Sequence, residues 1–195
     1  MAFLINSFKK SAQELKSIRC IAVVGVFLAV AVVLDGFGSI RIGDFLKINF
    51  VFLPLSLLGM LYGPTVGFFA GLLVDVIGYL INPIGAFLPW LTLITGLEGL
   101  IYGIVLYNLK PEKTYKQFIR ITVARAIVCG VCNLTLNTWA LYSYGFIAGD
   151  SVIALIGARV LTNAAIFAIS VPLMMAVLIP VKLAYDRIFK RTNHA

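Results

Sequence analysis

The sequence is poor in charged residues and in the side chains on which most catalysis depends. Lys, Arg, Asp and Glu together make up 12% of the 195 residues, about half the share typical of a soluble domain. Histidine occurs once, at His194 in the C-terminal tail. The chain therefore has no histidine outside its C-terminal tail to act as a general base or as a transition-metal ligand. We expect no enzymatic activity, no metal and no cofactor.

Cysteine is also scarce, and its three copies complete no site. Cys129 and Cys132 have the spacing of a redox or metal pair, but no further Cys or nearby His stands beside them. A buried cysteine behaves as a small apolar side chain, so we interpret the pair as structural. The chain also lacks a nucleotide-binding motif, which excludes ATP hydrolysis by this chain alone.

Long apolar runs are the dominant positive feature. Apolar residues make up 61% of the chain, and the mean hydropathy is +1.02. Several runs are long enough to cross a bilayer, which takes about 20 residues of helix. We predict an all-α polytopic membrane protein, a single domain over residues 1–195 built as a six-transmembrane-helix bundle. The predicted spans are Ile18–Leu34, Ile48–Leu61, Thr65–Ile81, Pro89–Leu109, Phe118–Tyr144 and Val152–Tyr185.

The first 17 residues have a different pattern, in which apolar residues alternate with basic and polar ones. Phe3, Leu4, Phe8 and Leu15 form no uninterrupted apolar stretch, and no small-residue cleavage site follows. This excludes a cleavable signal peptide. We predict an amphipathic helix that lies on the cytoplasmic membrane surface.

Basic residues predict the orientation of the bundle. They cluster in segments 9–19, 110–120 and 182–191, which six spans would place on one side, whereas the other side holds only Arg41 and Lys47. Loops rich in Lys and Arg face the cytoplasm, so we predict that both termini are cytoplasmic. The net charge of +8 is then a topology signal and does not indicate a nucleic-acid partner.

Four charged residues fall inside predicted spans: Asp75, Glu98, Arg125 and Arg159. Such residues are costly in a bilayer, and each is a candidate functional residue. From the helical rise, Asp75, Glu98 and Arg159 lie about 9, 13 and 10 Å below the outer ends of their spans. Arg125 lies about 10 Å from a cytoplasmic end, so we expect it to extend to that surface in a structural or partner-facing role.

Polar and aromatic residues accumulate at the same depth. Asn137 lies at the outer end of the fifth span, and Asn163 follows Arg159 by four residues, which places both on one helical face. The loops 35–47 and 82–90 are rich in glycine, proline and turn-forming residues, and Phe87, Trp90 and Trp139 lie near them. We predict a polar cavity open to the outside. The aromatic residues fit either an interfacial belt or a stacking site for a flat ligand.

The first span carries two small residues, Gly25 and Ala29, one helical turn apart. Such pairs allow another helix to approach closely. Internal packing explains this spacing, and so does a membrane partner that supplies the energy for transport.

The chain resembles the substrate-binding S components of energy-coupling-factor (ECF) vitamin transporters, and is most similar to their folate-specific branch. The resemblance runs from about residue 21 to residue 185. It is carried by SIRIGDFLKINFVFLPLSLLGMLYGPTVGFFAGLLVDVIGYLINPIGAFLPWLTL at 39–93, GLIYG at 99–103, LNTWAL at 136–141 and RVLTN at 159–163. Glu98 departs from it, since the family tends to have a small or uncharged residue there.

The resemblance implies a bacterial plasma-membrane subunit that captures folate from outside. Its partners would be a transmembrane scaffold subunit and two cytoplasmic ATPases, which drive uptake. In the family a small-residue motif in the first helix meets the scaffold, and Gly25 and Ala29 occupy that place here.

The same resemblance, with the chemistry of folate, suggests roles for the candidate residues. A pterin ring offers N–H donors to a carboxylate or an amide and can stack on aromatic rings, while its glutamyl tail is anionic and suits basic side chains. Arg159 either lines the pocket or pairs with Asp75 or Glu98, which would offset both desolvation costs. The assignments are Asp75, Asn137 and Asn163 for polar groups, Trp139, Phe87 and Trp90 for stacking, and Arg41 and Lys47 for the tail.

Three alternatives remain open on the sequence. The chain fits an S component for another vitamin, such as riboflavin, a thiamine-like compound or another pterin. It also fits a stand-alone carrier or small channel in which Asp75 and Glu98 relay protons. An intramembrane enzyme with the same two carboxylates is disfavoured, because no histidine, serine–base pair or metal cluster accompanies them.

Overall fold

A computed structural model describes residues 2–37, 40–42, 46–83, 87–107, 114–144 and 152–191. Within these residues the chain forms eight α-helices, one π-helical segment and one short hairpin. The helices are α1 (Ala2–Glu14), α2 (Ile18–Phe37), α3 (Phe52–Tyr62), α4 (Pro64–Ile81), α5 (Pro89–Leu106), α6 (Thr114–Ile127), α7 (Asn137–Ser143) and α8 (Val152–Arg191). The strands β1 (Ile40–Ile42) and β2 (Leu46–Ile48) connect α2 to α3, and the π-helical segment (Val128–Leu136) joins α6 to α7.

Five described helical stretches are long and apolar enough to cross a membrane: Ile18–Gly36, Pro64–Ile81, Pro89–Leu106, Tyr115–Ser143 and Arg159–Ile188. They correspond to five of the six predicted spans. The all-α prediction is confirmed for the bundle. The segment predicted as the first outer loop contains, in addition, a two-stranded antiparallel hairpin in which Arg41 opposes Lys47.

The second predicted span is the exception. Its helix, α3, has 11 residues, a length of about 16 Å against a hydrocarbon core of about 30 Å. Ten of those residues are buried. The apolar character of α3 therefore reflects enclosure by other helices, which a hydropathy pattern does not distinguish from contact with lipid.

Glycines bring α4 and α5 into backbone contact. A Cβ atom added at Gly67 would meet the backbone of Gly99, one at Gly71 would meet the backbone of Thr95, and one at Gly103 would meet Pro64. Lipid tails are as apolar as leucine, so helices in a membrane associate through close van der Waals packing rather than through the hydrophobic effect. The glycine contacts make α4 and α5 a tightly packed antiparallel pair.

The predicted N-terminal amphipathic segment is largely helical, as α1, and it contacts the bundle through serines. Ser7 and Ser11 are buried, and the backbone N–H of Val66 donates to Ser11 Oγ at 3.1 Å. Val66 is the third residue of α4, so Ser11 satisfies one of the N–H groups that a helix start leaves without an intrahelical partner. The position of α1 at the membrane surface and the cytoplasmic location of both termini stay predictions.

Replacing Gly99 with alanine tests the glycine contact. The added methyl group would collide with the Gly67 carbonyl, so Gly99→Ala should lower the melting temperature of the chain in detergent by several degrees.

The matched control is Gly25→Ala on α2, where an added Cβ meets no atom within 4 Å. Alanine favours a helix over glycine by about 1 kcal/mol, so this variant should melt at the wild-type temperature or above it. Equal melting temperatures for Gly99→Ala and wild type would contradict the contact.

Candidate functional site

The candidate residues gather at one end of the bundle, where α4 ends and α5 begins. The start of α5 packs against α7, since the rings of Trp90 and Trp139 lie 5.2 Å apart at an angle of 63°. Thr138 on α7 is in turn hydrogen-bonded to Arg159 on α8. We call this region the α4–α5 end. It brings together residues from four helices that are up to 88 positions apart in the chain (Asp75 to Asn163).

Asp75 is held by two threonines of α5. Thr92 Oγ1 donates to Asp75 Oδ2 at 2.6 Å, and Thr95 Oγ1 lies 3.5 Å from Asp75 Oδ1. Hydrogen bonds to a charged group contribute about 1.5–3 kcal/mol each when well formed. The carboxylate is therefore fixed against α5. Thr92 and Thr95 belong to the site although no sequence pattern singles them out.

Two aromatic pairs accompany the carboxylate. Besides the pair of Trp90 and Trp139, the rings of Tyr79 and Phe87 lie 5.1 Å apart. Trp139 is 56% exposed, whereas the indole nitrogen of Trp90 is buried without a hydrogen-bond partner among the described residues. A buried indole N–H usually has an acceptor, so this nitrogen can donate to a bound ligand. The three predicted stacking residues, Phe87, Trp90 and Trp139, all lie in these two aromatic pairs, one edge-to-face and one tilted.

Arg159 contacts neither acidic residue in the described part of the chain. Its Nη1 donates to Thr138 Oγ1 at 2.9 Å, while Asn163 Nδ2 donates to the Arg159 carbonyl at 2.9 Å. The predicted alternative in which Arg159 pairs with Asp75 or Glu98 is therefore wrong. The physical reason is that α5 threonines already hold Asp75, and that a hydroxyl on the neighbouring α7 lies within reach of the guanidinium.

The two asparagines differ in their side-chain contacts. Asn163 uses its amide nitrogen within its own helix, which leaves its carbonyl oxygen for a ligand or a neighbour. Asn137 is half-buried at the first position of α7. The π-helical segment ends immediately before it. Such segments are rare and occur often at functional sites.

Arg125 does not extend to a surface, contrary to the prediction. It is 3% exposed, and its Nε and Nη1 donate to Ser170 Oγ at 2.9 Å and to the Tyr102 hydroxyl at 2.8 Å. Its guanidinium also lies 4.3 Å from the centre of the Phe52 ring. These contacts join α6 to α8, α5 and α3, and they replace the hydration that the charge would find at the membrane surface.

Two groups of predicted residues lie apart from this cluster or outside what is described. Arg41 and Lys47 face each other in the hairpin register, but their side chains lie outside the described residues. Gly25 and Ala29 lie on an exposed face of α2, next to exposed Val26 and Val30. Within the bundle, no atom other than those of its own helix and chain neighbours approaches a Cβ built at Gly25 within 4 Å.

Comparison with known proteins places the chain in a family. The model of the family described as "ECF-type riboflavin transporter, S component" matches residues 15–184. The chain belongs to the S components of ECF transporters. This confirms the resemblance drawn from the sequence, and the family consists of transporter subunits rather than enzymes.

Individual relatives of this S component are folate transporters. The folate transporter FolT of Clostridium novyi (strain NT) is 30% identical over 155 residues, which is 80% of this chain and 85% of the relative. FolT of Leuconostoc mesenteroides is 35% identical over 130 residues, or 65% and 67% of the two chains. A crystal structure of FolT bound with folic acid matches with a TM-score of 0.70 and 31% identity, over 81% of this chain and 91% of that one.

Replacing Thr92 with valine tests how Asp75 is held. The change removes the 2.6 Å hydrogen bond and keeps the shape of the side chain, so the carboxylate loses a close donor. We expect a loss of about 1.5–3 kcal/mol, measured as a lower melting temperature of the S component in detergent.

Thr95→Val is the matched control, because its hydroxyl lies 3.5 Å from Asp75 and also donates to the Leu91 carbonyl. It should destabilise the chain less than Thr92→Val. A larger effect at Thr95 would contradict the assignment of Thr92 as the main partner of Asp75.

Proposed function

We propose that this S component binds folate at the α4–α5 end of the bundle and delivers it to an ATP-driven ECF importer. The observation that carries the proposal is the combination at this end of a fixed carboxylate, Asp75, with the tryptophan pair Trp90 and Trp139. The similarity to FolT bound with folic acid, over 81% of the chain, supports the same ligand.

Folate has a flat ring and an anionic tail, and the site has residues that suit each of them. A flat pterin ring can stack beside the aromatic rings, and its amino group and ring N–H can donate to a carboxylate in charge-assisted hydrogen bonds. The anionic glutamyl tail would meet positive charge, for which Arg159 and the hairpin residues Arg41 and Lys47 are the candidates. Asn137 and Asn163 would supply further polar contacts.

Riboflavin is the second candidate, because the matching family model carries that vitamin in its description. A flavin is also flat and would stack equally well. Its hydrogen-bonding edge, however, has a single N–H between two carbonyl oxygens, and those carbonyls would oppose a carboxylate. Riboflavin also has no carboxylate for Arg159. The acidic residues at this site, together with the folate transporters among the relatives, favour folate.

Partner subunits follow from the same proposal. An S component with no nucleotide-binding motif depends on other subunits for energy, and we place a transmembrane scaffold and two cytoplasmic ATPases beside it. The exposed face of α2 with Gly25 and Ala29 is the proposed scaffold contact, since small residues permit close helix approach. The proposed location is the bacterial plasma membrane with both termini in the cytoplasm, as the distribution of basic residues predicts.

A ligand titration tests the proposal directly. The purified chain in detergent is titrated with folic acid, riboflavin and thiamine, and tryptophan fluorescence is followed. We expect saturable quenching with submicromolar affinity for folic acid only, because Trp90 and Trp139 lie at the site. Tight binding of riboflavin without folic acid binding would favour the second candidate, and binding of none would contradict a vitamin receptor.

Replacing Ala29 with leucine tests the scaffold contact. The larger side chain would keep a second helix away from α2, so Ala29→Leu should lose co-purification with the scaffold while folic acid binding stays within about twofold of wild type. Loss of folic acid binding instead would place this face in the ligand site. The matched control is Ala176→Leu, at an exposed position on α8, which should keep both properties.

A further inference from the structure

A polar stripe runs along α5 into the bundle. Thr92, Thr95, Glu98 and Tyr102 follow one another at spacings of three, three and four residues, which places them on one helical face. The two threonines contact Asp75, and the Tyr102 hydroxyl accepts from Arg125. Glu98 is the exception, since no hydrogen bond, and no ion pair within 4 Å, joins it to another described residue.

The side chain of Glu98 borders a space that solvent can reach. An intermediate fraction of the residue stays accessible, so this space is at least as large as a water molecule. Glu98 is the tenth residue of α5, so it lies about 13 Å from the helix start and deeper than Thr92 and Asp75.

Charges on either side act on Glu98 in opposite directions. Arg125 attracts its negative charge, and Asp75 repels it. Arg125 donates to the neutral hydroxyls of Tyr102 and Ser170, and it forms no ion pair within 4 Å with another described residue. Its positive charge therefore remains available to stabilise the Glu98 carboxylate. An acidic residue within a membrane span is costly and marks a functional site by default.

We infer that Glu98 is a specificity-determining residue that accepts hydrogen bonds from two adjacent N–H donors of the bound heterocycle. In a pterin these donors are the exocyclic amino group and the neighbouring ring N–H. The inference rests on the proposed function and assigns the ring-recognition role to Glu98 beside Asp75, because Asp75 Oδ2 already accepts a close hydrogen bond from Thr92. This contact also orients the ligand, with the donor edge of the ring directed inward at Glu98 and the tail directed outward, away from Glu98.

A pair of ligands and a pair of variants test the role of Glu98. Affinities for folic acid and for 2-desamino-folic acid, which lacks the exocyclic amino group, are measured on the purified chain, on Glu98→Gln and on Glu14→Gln. Glu98→Gln keeps the size of the side chain but replaces one acceptor oxygen by a donor. Glu14 is an exposed carboxylate on α1, so Glu14→Gln controls for the loss of one negative charge.

The expected result depends on the ligand. Glu98→Gln should weaken folic acid binding by about 10- to 100-fold, as the loss of a charge-assisted contact predicts, and should weaken binding of the desamino compound severalfold less. Glu14→Gln should bind both ligands as wild type does. An equal loss for both ligands would show a structural role and overturn the inference, as would unchanged folic acid binding by Glu98→Gln.

The outcomes separate this inference from the proposed function. A wild-type chain that binds no folic acid contradicts the proposed function itself. A wild-type chain that binds folic acid, with Glu98→Gln binding it equally well, overturns the inference alone. If Glu98→Gln fails to fold, the affinities of the wild-type chain for folic acid and for the desamino compound are compared. Equal affinities would also overturn the inference about Glu98.

Discussion

The backbone contact between α4 and α5 is the constraint on which the rest of the structure depends. Gly67, Gly71, Gly99 and Gly103 leave no room for side chains between the two helices, so their register is fixed. That register places Asp75 within hydrogen-bonding distance of Thr92, and it directs the deeper part of α5 toward α6, where Tyr102 contacts Arg125. The position of the proposed ligand site and the position of the buried Arg125 both follow from this contact.

The sequence predicted the parts of this arrangement that depend on a pattern along one helix. Five of the six spans, the short second apolar segment and the region of Asp75, Trp90, Trp139 and Arg159 were all predictable from hydropathy, turn residues and the cost of buried charge. The family was predictable from the motifs around these residues. None of these steps required knowledge of which helices are neighbours.

Contacts between helices were not predictable in the same way. Arg125 lies about two turns from the predicted end of its span, a position from which a long side chain can reach the surface. The partners that hold it inside, Tyr102, Ser170 and Phe52, come from three other helices. Likewise, the sequence gives no sign that hydroxyls rather than a guanidinium hold Asp75. The π-helical segment before Asn137 is also not predictable from the sequence, because its residues differ little from those of an ordinary apolar helix.

We propose that the bundle holds a pterin ring between the tryptophan pair and the carboxylates of α4 and α5. A crystal structure of the purified chain with folic acid bound would decide this. We expect electron density for the ring at Trp90 and Trp139, with its amino edge within hydrogen-bonding distance of Glu98 and its tail directed outward. Density for folic acid elsewhere on the chain, or with the tail buried and the ring at the bundle surface, would contradict it.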